Sequence, residues 1–208
     1  MPLVIGHRGF AARFPDNSLA GVRAAFAAGA DGVEVDVRPC ADGEWVCHHD
    51  RVRHGRKVAH WSQPALRREG VPTLAEVVDA AAGGWLFVEV KPLPSAEFAA
   101  RLGGLVALLA ARAARTRVIS SSLPVLAAVA DALPNACRSW VFGELPEWLP
   151  NDLELSPRHT LVEALLGGGR PLHPWTVNRP GRMRALAGFG VASITTNEPE
   201  LAVGVLRG

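Results

Sequence analysis

Cysteine is scarce in this chain: the three copies, Cys40, Cys47 and Cys137, form an odd set with no CxxC spacing. That argues against a disulfide framework and a thiolate metal site, and leaves small core residues in a reducing compartment. Excess charge is lacking too, since 22 Lys and Arg stand against 20 Asp and Glu for a formal +2, with the arginines dispersed. Such a balance makes neither a nucleic-acid footprint nor a membrane-surface stripe. No apolar run reaches the ~18 residues of a membrane span, and no charged segment followed by a long apolar one opens the chain. The expectation is a cytoplasmic protein with no nucleic-acid partner and no stable membrane association. Repeats and low-complexity tracts are absent as well. The 208 residues, 49% of them hydrophobic, can bury a substantial core without staples, and a single domain over 1–208 is expected.

What the chain does have is rhythm. Short β-rich runs at 3–7, 32–37, 85–91, 117–121, 138–143, 152–156, 172–177 and 192–196 alternate with Ala- and Leu-rich stretches of helical spacing. Those helices are expected at 18–29, 73–82, 95–114, 124–132, 160–167, 180–188 and 198–206. Strands alternating with helices predict an α/β fold with a parallel sheet, and the count of eight favours a closed (β/α)8 TIM barrel. An extra run at 44–49 follows strand two closely, with Ala41-Asp42-Gly43 as its turn, and reads as a hairpin arm on top of the barrel. The segment 51–72, rich in Arg and His, reads as loosely organised.

Placing polar residues on these strands exposes the chemistry. Strand one runs into His7-Arg8-Gly9, groups too costly to bury unless they are solvated or aimed at something negative. In GVEVDV, Glu34 and Asp36 are two apart and share one face, while Val33, Val35 and Val37 share the other. In WLFVEVK the same spacing pairs Glu89 with Lys91 on a strand only about 4.8 Å away. Three carboxylates and a lysine thus converge at the C-terminal ends of strands two and three, the face where barrel enzymes keep their active sites. Carboxylates so close raise one another's pKa unless compensated, and an all-oxygen ligand set favours one divalent cation, Mg²⁺ or Ca²⁺, over Zn²⁺. An isolated E-x-D is more often a solvated face, and a lone histidine a core or surface residue. The weight comes from their combination with His7-Arg8 and with His48-His49-Asp50 at the end of the arm. Together they supply proton carriers, a metal site and cations for a phosphate ester.

The ordered set HRG, PDNS, GVEVDV, HHD, VEVK and PWTVN resembles the glycerophosphodiester phosphodiesterase family over nearly the whole chain. The resemblance implies hydrolysis of a small-molecule glycerophosphodiester to glycerol 3-phosphate and an alcohol, with one divalent cation. By position it gives Glu34, Asp36 and Glu89 as metal ligands, His7 and His49 as the acid and base, and Arg8 and Lys91 as phosphate-binding cations. It places Asn17 behind the metal ligands and Trp175 on the pocket wall. Because His48 and His49 face opposite ways on the arm, only one enters the site, and the resemblance selects His49. Glu144 and His159 are expected to be solvated. The usual PENT is PDNS here, with Asp16 one methylene shorter than glutamate, and Ser121-Ser122 replaces the usual serine-phenylalanine pair. Relatives carry a longer insertion where this chain has 51–72, which implies a more open pocket. Two other readings remain: a phospholipase D-like or phosphoinositide-cleaving barrel, and a non-catalytic phosphate-ester binding protein. Retention of both histidines argues against the second, since a binder needs no general acid.

Overall fold

The computed structural model describes residues 1–81 and 83–208. The first half runs through β1 (Leu3–His7), α1 (Leu19–Ala27), β2 (Gly32–Pro39), β3 (Trp45–Cys47), β4 (Val52–Arg53), β5 (Arg56–Lys57), α2 (Gln63–Arg68) and α3 (Leu74–Ala80). The second half runs through β6 (Trp85–Val90), α4 (Ser95–Leu109), β7 (Thr116–Ser120), α5 (Leu123–Ala132), β8 (Cys137–Phe142), β9 (Glu154–Pro157), α6 (Val162–Leu165), α7 (Pro180–Gly188), β10 (Ser193–Thr196) and α8 (Pro199–Arg207). The last predicted residue of the 73–82 helix, residue 82, lies outside the described residues. No helix among the described residues is long and apolar enough to cross a membrane.

Parallel strands follow one another in the order β10, β1, β2, β6, β7, β8, β9, with β3 added antiparallel to β2. Between β9 and β10 lies the segment 172–177, expected as a strand, which forms bridges rather than a regular ladder. His173 N donates to Leu155 O at 2.7 Å and Trp175 N to Pro157 O at 3.1 Å on the β9 side. On the β10 side Val177 N donates to Thr195 O at 2.9 Å and Thr195 N to Pro174 O at 3.1 Å. Pro171 and Pro174 have no N–H to give, which breaks the ladder into isolated bonds. The ring nonetheless closes, and the architecture is an α/β TIM-barrel-like fold.

Strand parity divides the side chains. Val33, Val35 and Val37 of β2 and Leu86, Val88 and Val90 of β6 are fully buried beneath the helices. Each such side chain contributes about 1.5–3 kcal/mol by leaving water. Helix starts are fixed locally: Ser18 accepts from Gly21 N to begin α1, and Thr73 with Glu76 forms a capping box for α3. Gly32 sets the register of β2 on β6, because a Cβ there would stand 2.5 Å from the Trp85 carbonyl oxygen. That register puts Asp36 directly opposite Glu89.

The segment 51–72 is organised, contrary to expectation. His54 and Gly55, both at positive φ, make the two-residue turn between β4 and β5. Val58, Leu66 and Val71 then pack with Cys40 and Val46 into a small core separate from that of the barrel. Three apolar residues spread through a basic stretch gave no periodic signal, but each has a partner on or beside β3.

Inside the barrel, Arg117, Glu154, His173 and Ser193 form a buried polar layer. Arg117 Nε lies 2.8 Å from Glu154 Oε2, and its guanidinium stacks 4.8 Å from the Phe87 ring centroid. Glu154 can only accept, so His173 Nε2–H donates to it at 3.0 Å, while the Ser193 hydroxyl donates to Nδ1 at 2.8 Å. Burial pushes the His173 imidazole down to about 4 despite the pull of Glu154, so it is neutral at pH 7. Below about pH 6.5 the unfolded chain takes up a proton that the folded one refuses. Folding stability should therefore decline between about pH 6.5 and pH 4, by about 3 kcal/mol from this group. Urea midpoints at pH 7 and pH 4.5 test this: His173→Gln should be less stable at pH 7 yet lose less on acidification, and a parallel loss would refute the assignment.

Candidate active site

Two strands and three loop ends assemble the site at the C-terminal mouth of the barrel. Glu34 and Asp36 come from β2 and Glu89 from β6, and one oxygen from each lies within 4.8 Å of the others. Glu34 and Asp36 are 2% and 1% exposed. Burial first, and then the charges of Asp36 and Glu89, push the Glu34 carboxyl well above its ordinary range; burial also raises Glu89. Burial acts the same way on Asp36, but Lys91 and Arg8 overcome it and hold that carboxyl below its usual value.

The compensation is direct. Lys91 Nζ stands 2.6 Å from both Asp36 Oδ1 and Glu89 Oε1. Arg8 Nε stands 3.1 Å from Asp36 Oδ2, its Nη1 donates to Asp16 Oδ2 at 2.6 Å, and its backbone N donates to Glu34 Oε2 at 3.0 Å. These contacts need β1 to stop at His7, and it does so by turning Arg8 to φ 51° and Gly9 to φ 85°. Asn17, also left-handed at φ 60°, holds Asp36 twice: Nδ2 donates to Oδ2 at 2.9 Å, and Oδ1 accepts from the Asp36 N at 3.0 Å. Non-glycine residues held there cost about 1–3 kcal/mol each and gather at functional sites.

Both histidines line one cavity of about 330 Å³ together with Arg8, Glu34, Glu89 and Lys91. His7 Nδ1–H donates to Asn197 Oδ1 at 2.6 Å, leaving Nε2 3.9 Å from Glu34 Oε2. Burial, then Arg8, lowers the His7 pKa. His49 Nδ1–H donates to Asp50 Oδ1 at 2.8 Å, and this bond holds the Asp50 carboxyl below its ordinary range. Each ring is thus tied at Nδ1. His48 lies outside this cavity, its Nδ1 3.0 Å from the Asp50 carbonyl. Phe87, Ile119, Val141 and Trp175 make the apolar wall, and Trp175 Nε1 donates to Ser156 O at 2.8 Å. Glu144 and His159 do not line the cavity.

Sequence reasoning overlooked Asn197 and left Asp50 without a role. Asn197 directly follows β10, whose partner is β1, and a polar residue at the C-terminal end of a barrel strand was the available signal. Asn178 fixes it in turn, accepting from Asn197 N at 2.9 Å. The carboxylate cluster suits a hard cation, because Glu34 Oε1 is buried without a hydrogen-bond partner among the described residues and all three ligand groups offer oxygen.

The sequence profile of the glycerophosphoryl diester phosphodiesterase family matches residues 7–121. A probable glycerophosphodiester phosphodiesterase 1 of Mycobacterium tuberculosis is 52% identical over 50 residues, a segment spanning 24% of this chain and 18% of that relative. A glycerophosphodiester phosphodiesterase of Caldanaerobacter subterraneus is 27% identical over 99% of this chain and 98% of its own. Among solved structures, the glycerophosphodiester phosphodiesterase of Parabacteroides distasonis superposes with a TM-score of 0.86 at 24% identity, covering 99% of this chain and 96% of that one. A phosphodiesterase of Oleispira antarctica, in complex with the product sn-glycerol-3-phosphate, gives 0.83 at 21% identity, covering 100% and 98%.

The Asn197 contact predicts a spectroscopic result. Nitrogen-15 shifts of the His7 ring should report a proton on Nδ1 at neutral pH, and Asn197→Ala should let the Nε2–H tautomer appear. An unchanged ring in the variant would mean that Asn197 does not select the tautomer.

Proposed function

Because the chain belongs to the glycerophosphoryl diester phosphodiesterase family, we propose that it hydrolyses glycerophosphodiesters to glycerol 3-phosphate and an alcohol. The observation that carries this reading is a pair of histidines, each tied at Nδ1, lining one cavity with Glu34, Glu89 and two cations. A phosphodiester placed there meets two proton carriers. Arg8 and Lys91 give its oxygens positive charge, although both also serve Asp36 and are shared rather than free. A divalent cation, Mg²⁺ or Ca²⁺, held by Glu34, Asp36 and Glu89 would neutralise charge developing on a phosphoryl oxygen. Asn17 keeps Asp36 aimed, and Trp175 walls the cavity.

The two histidines differ in what holds them. His7 is tied to a neutral amide and buried beside Arg8, which favours the neutral ring and suits a base. His49 is tied to a carboxylate that fixes its ring with Nε2 free to face the departing oxygen, which suits an acid. In this reading His7 takes the proton of the glycerol 2-hydroxyl as that oxygen attacks phosphorus, and His49 gives one to the departing alcohol. Water then opens the resulting cyclic phosphate with the roles exchanged. If, as the family resemblance implies, the cap over 51–72 is shorter than the insertion of relatives, the mouth is more open in this reading.

Release of glycerol 3-phosphate from glycerophosphodiesters should cease on chelation and return with Mg²⁺ or Ca²⁺. Glu34→Gln should weaken metal binding measured directly, and full turnover in a metal-free preparation would sink the metal reading. His7→Ala or His49→Ala should each slow cleavage about 10²- to 10⁴-fold, with His48→Ala mild. A base that works when neutral loses rate as pH falls through its pKa, and since that of His7 is lowered, the acidic limb should lie below about pH 6.5. An acidic limb above that value would reassign the base.

Attack from within the substrate carries a second expectation. Effective molarities of about 10⁵ to 10⁸ M for such reactions imply that a 2-deoxy analogue is cut far more slowly than its parent. Single-turnover rates at saturating metal decide it; equal rates would mean direct attack by water.

A further inference from the structure

Beside the cavity that holds the histidines runs a larger groove, of about 690 Å³, between the cap and the β6–α4 connection. Its walls carry Arg38, Arg51, Lys57, His60 and Arg101 against one carboxylate, Glu97. Glu97 is already 3.8 Å from Arg101 Nε. Among the described residues no side-chain partner is found for Arg51 or Lys57, and Arg38 bonds only through Nε, to the His49 carbonyl at 3.0 Å. Arg38 lines the groove close enough to Arg51 to feel its charge, while Asp36, Asp50 and Glu89 act on it from the other side. Cations held together in this way repel one another, and a bound anion relieves them.

The groove begins where the carboxylate cluster ends. Arg38 continues the inward-facing series Glu34, Asp36 on β2, one strand repeat or about 7 Å beyond Asp36. Residues 92–94, on the opposite wall, directly follow Lys91. His49 stands at the boundary, lining the histidine cavity with its ring while its carbonyl is held by Arg38. If His49 protonates the departing oxygen, the alcohol leaves on the groove side, and the glycerol phosphate occupies the cavity with the apolar wall.

Resting on the phosphodiesterase reading above, we propose that this groove selects glycerophosphodiesters whose alcohol carries a further phosphate, a phosphorylated polyol rather than a cationic amino alcohol. Arg51 and Lys57 give the specificity, and Arg38 joins the groove to the catalytic centre. Choline or ethanolamine would place an ammonium among guanidinium groups. A phosphate would receive charge-assisted bonds from at least two of them.

The test compares glycerophosphoinositol 4-phosphate with glycerophosphoinositol, which differ only in that phosphate. kcat/KM should favour the phosphorylated substrate about ten- to hundredfold at low salt, and the preference should shrink in about 0.5 M NaCl. In the Arg51→Gln/Lys57→Gln variant the ratio should fall toward one, through the KM of the phosphorylated substrate. Equal rates in the wild type, or an undiminished preference in the variant, would overturn the proposal. Calorimetry with the free alcohol, inositol 4-phosphate, reads the groove without turnover: binding weakened at least tenfold in the variant supports it, and absence of binding to the wild type overturns it. Binding of this alcohol without cleavage of either diester would support the groove while refuting the phosphodiesterase reading.

Discussion

Glu34, Asp36 and Glu89 reach into one small volume because β2 and β6 pair in a register that sets Asp36 opposite Glu89. Water is nearly excluded from two of the three. Everything nearby answers that crowding. Lys91 bridges Asp36 and Glu89, and Arg8 gives its guanidinium to Asp36 and its backbone N–H to Glu34. Asn17 gives its amide to the same aspartate. Asp36 has both cations, but Glu89 has only Lys91 among the described residues, and removing that lysine would cost more than the pair itself contributes. The left-handed turns at Arg8 and Asn17 are the backbone's share of the arrangement, since neither group reaches Asp36 from an extended strand.

Ring closure also decides what His7 bonds to. His7 ends the first barrel strand and Asn197 follows the last, 190 residues apart in sequence and in hydrogen-bond contact in space. β10 reaches β1 directly, and the segment 172–177 seals the other side of β10 despite Pro174. The polar layer of Arg117, Glu154 and His173 lies inside the barrel, where Phe87 and His173 pack edge to face at 5.7 Å. His173 and Phe87 also line the cavity, so this layer forms part of its wall.

Alternation of strand and helix was legible because parallel strands buried on both faces read as short apolar runs, and β1 and α7 fall where periodicity puts them. Parity paired Glu34 with Asp36 and Glu89 with Lys91, and the predicted adjacency of their two strands brought the pairs together. Three features escaped for separate reasons. The segment 172–177 has the composition of a strand, but Pro174 within it and Pro171 just before it interrupt its ladder. The cap is held by isolated apolar residues whose partners lie outside it in sequence, so no local pattern marks it. Asn197 looks like an ordinary turn residue until the barrel closes and brings His7 beside it. Contacts made across the closure are not written in local sequence.

The cap's core of Cys40, Val46, Val58, Leu66 and Val71 is separate from that of the barrel, and it is small. Structures with two unequal cores open in stages, the weaker unit first, at a free energy below that of global unfolding. Asp50 directly precedes the cap segment, and His49 bonds to it. His7 sits on the barrel itself, behind Asn197. The two rings therefore belong to regions of different permanence: when the cap opens, the carboxylates and His7 keep their places while His49 loses its support. On warming, the hold on His49 should loosen before the hold on His7.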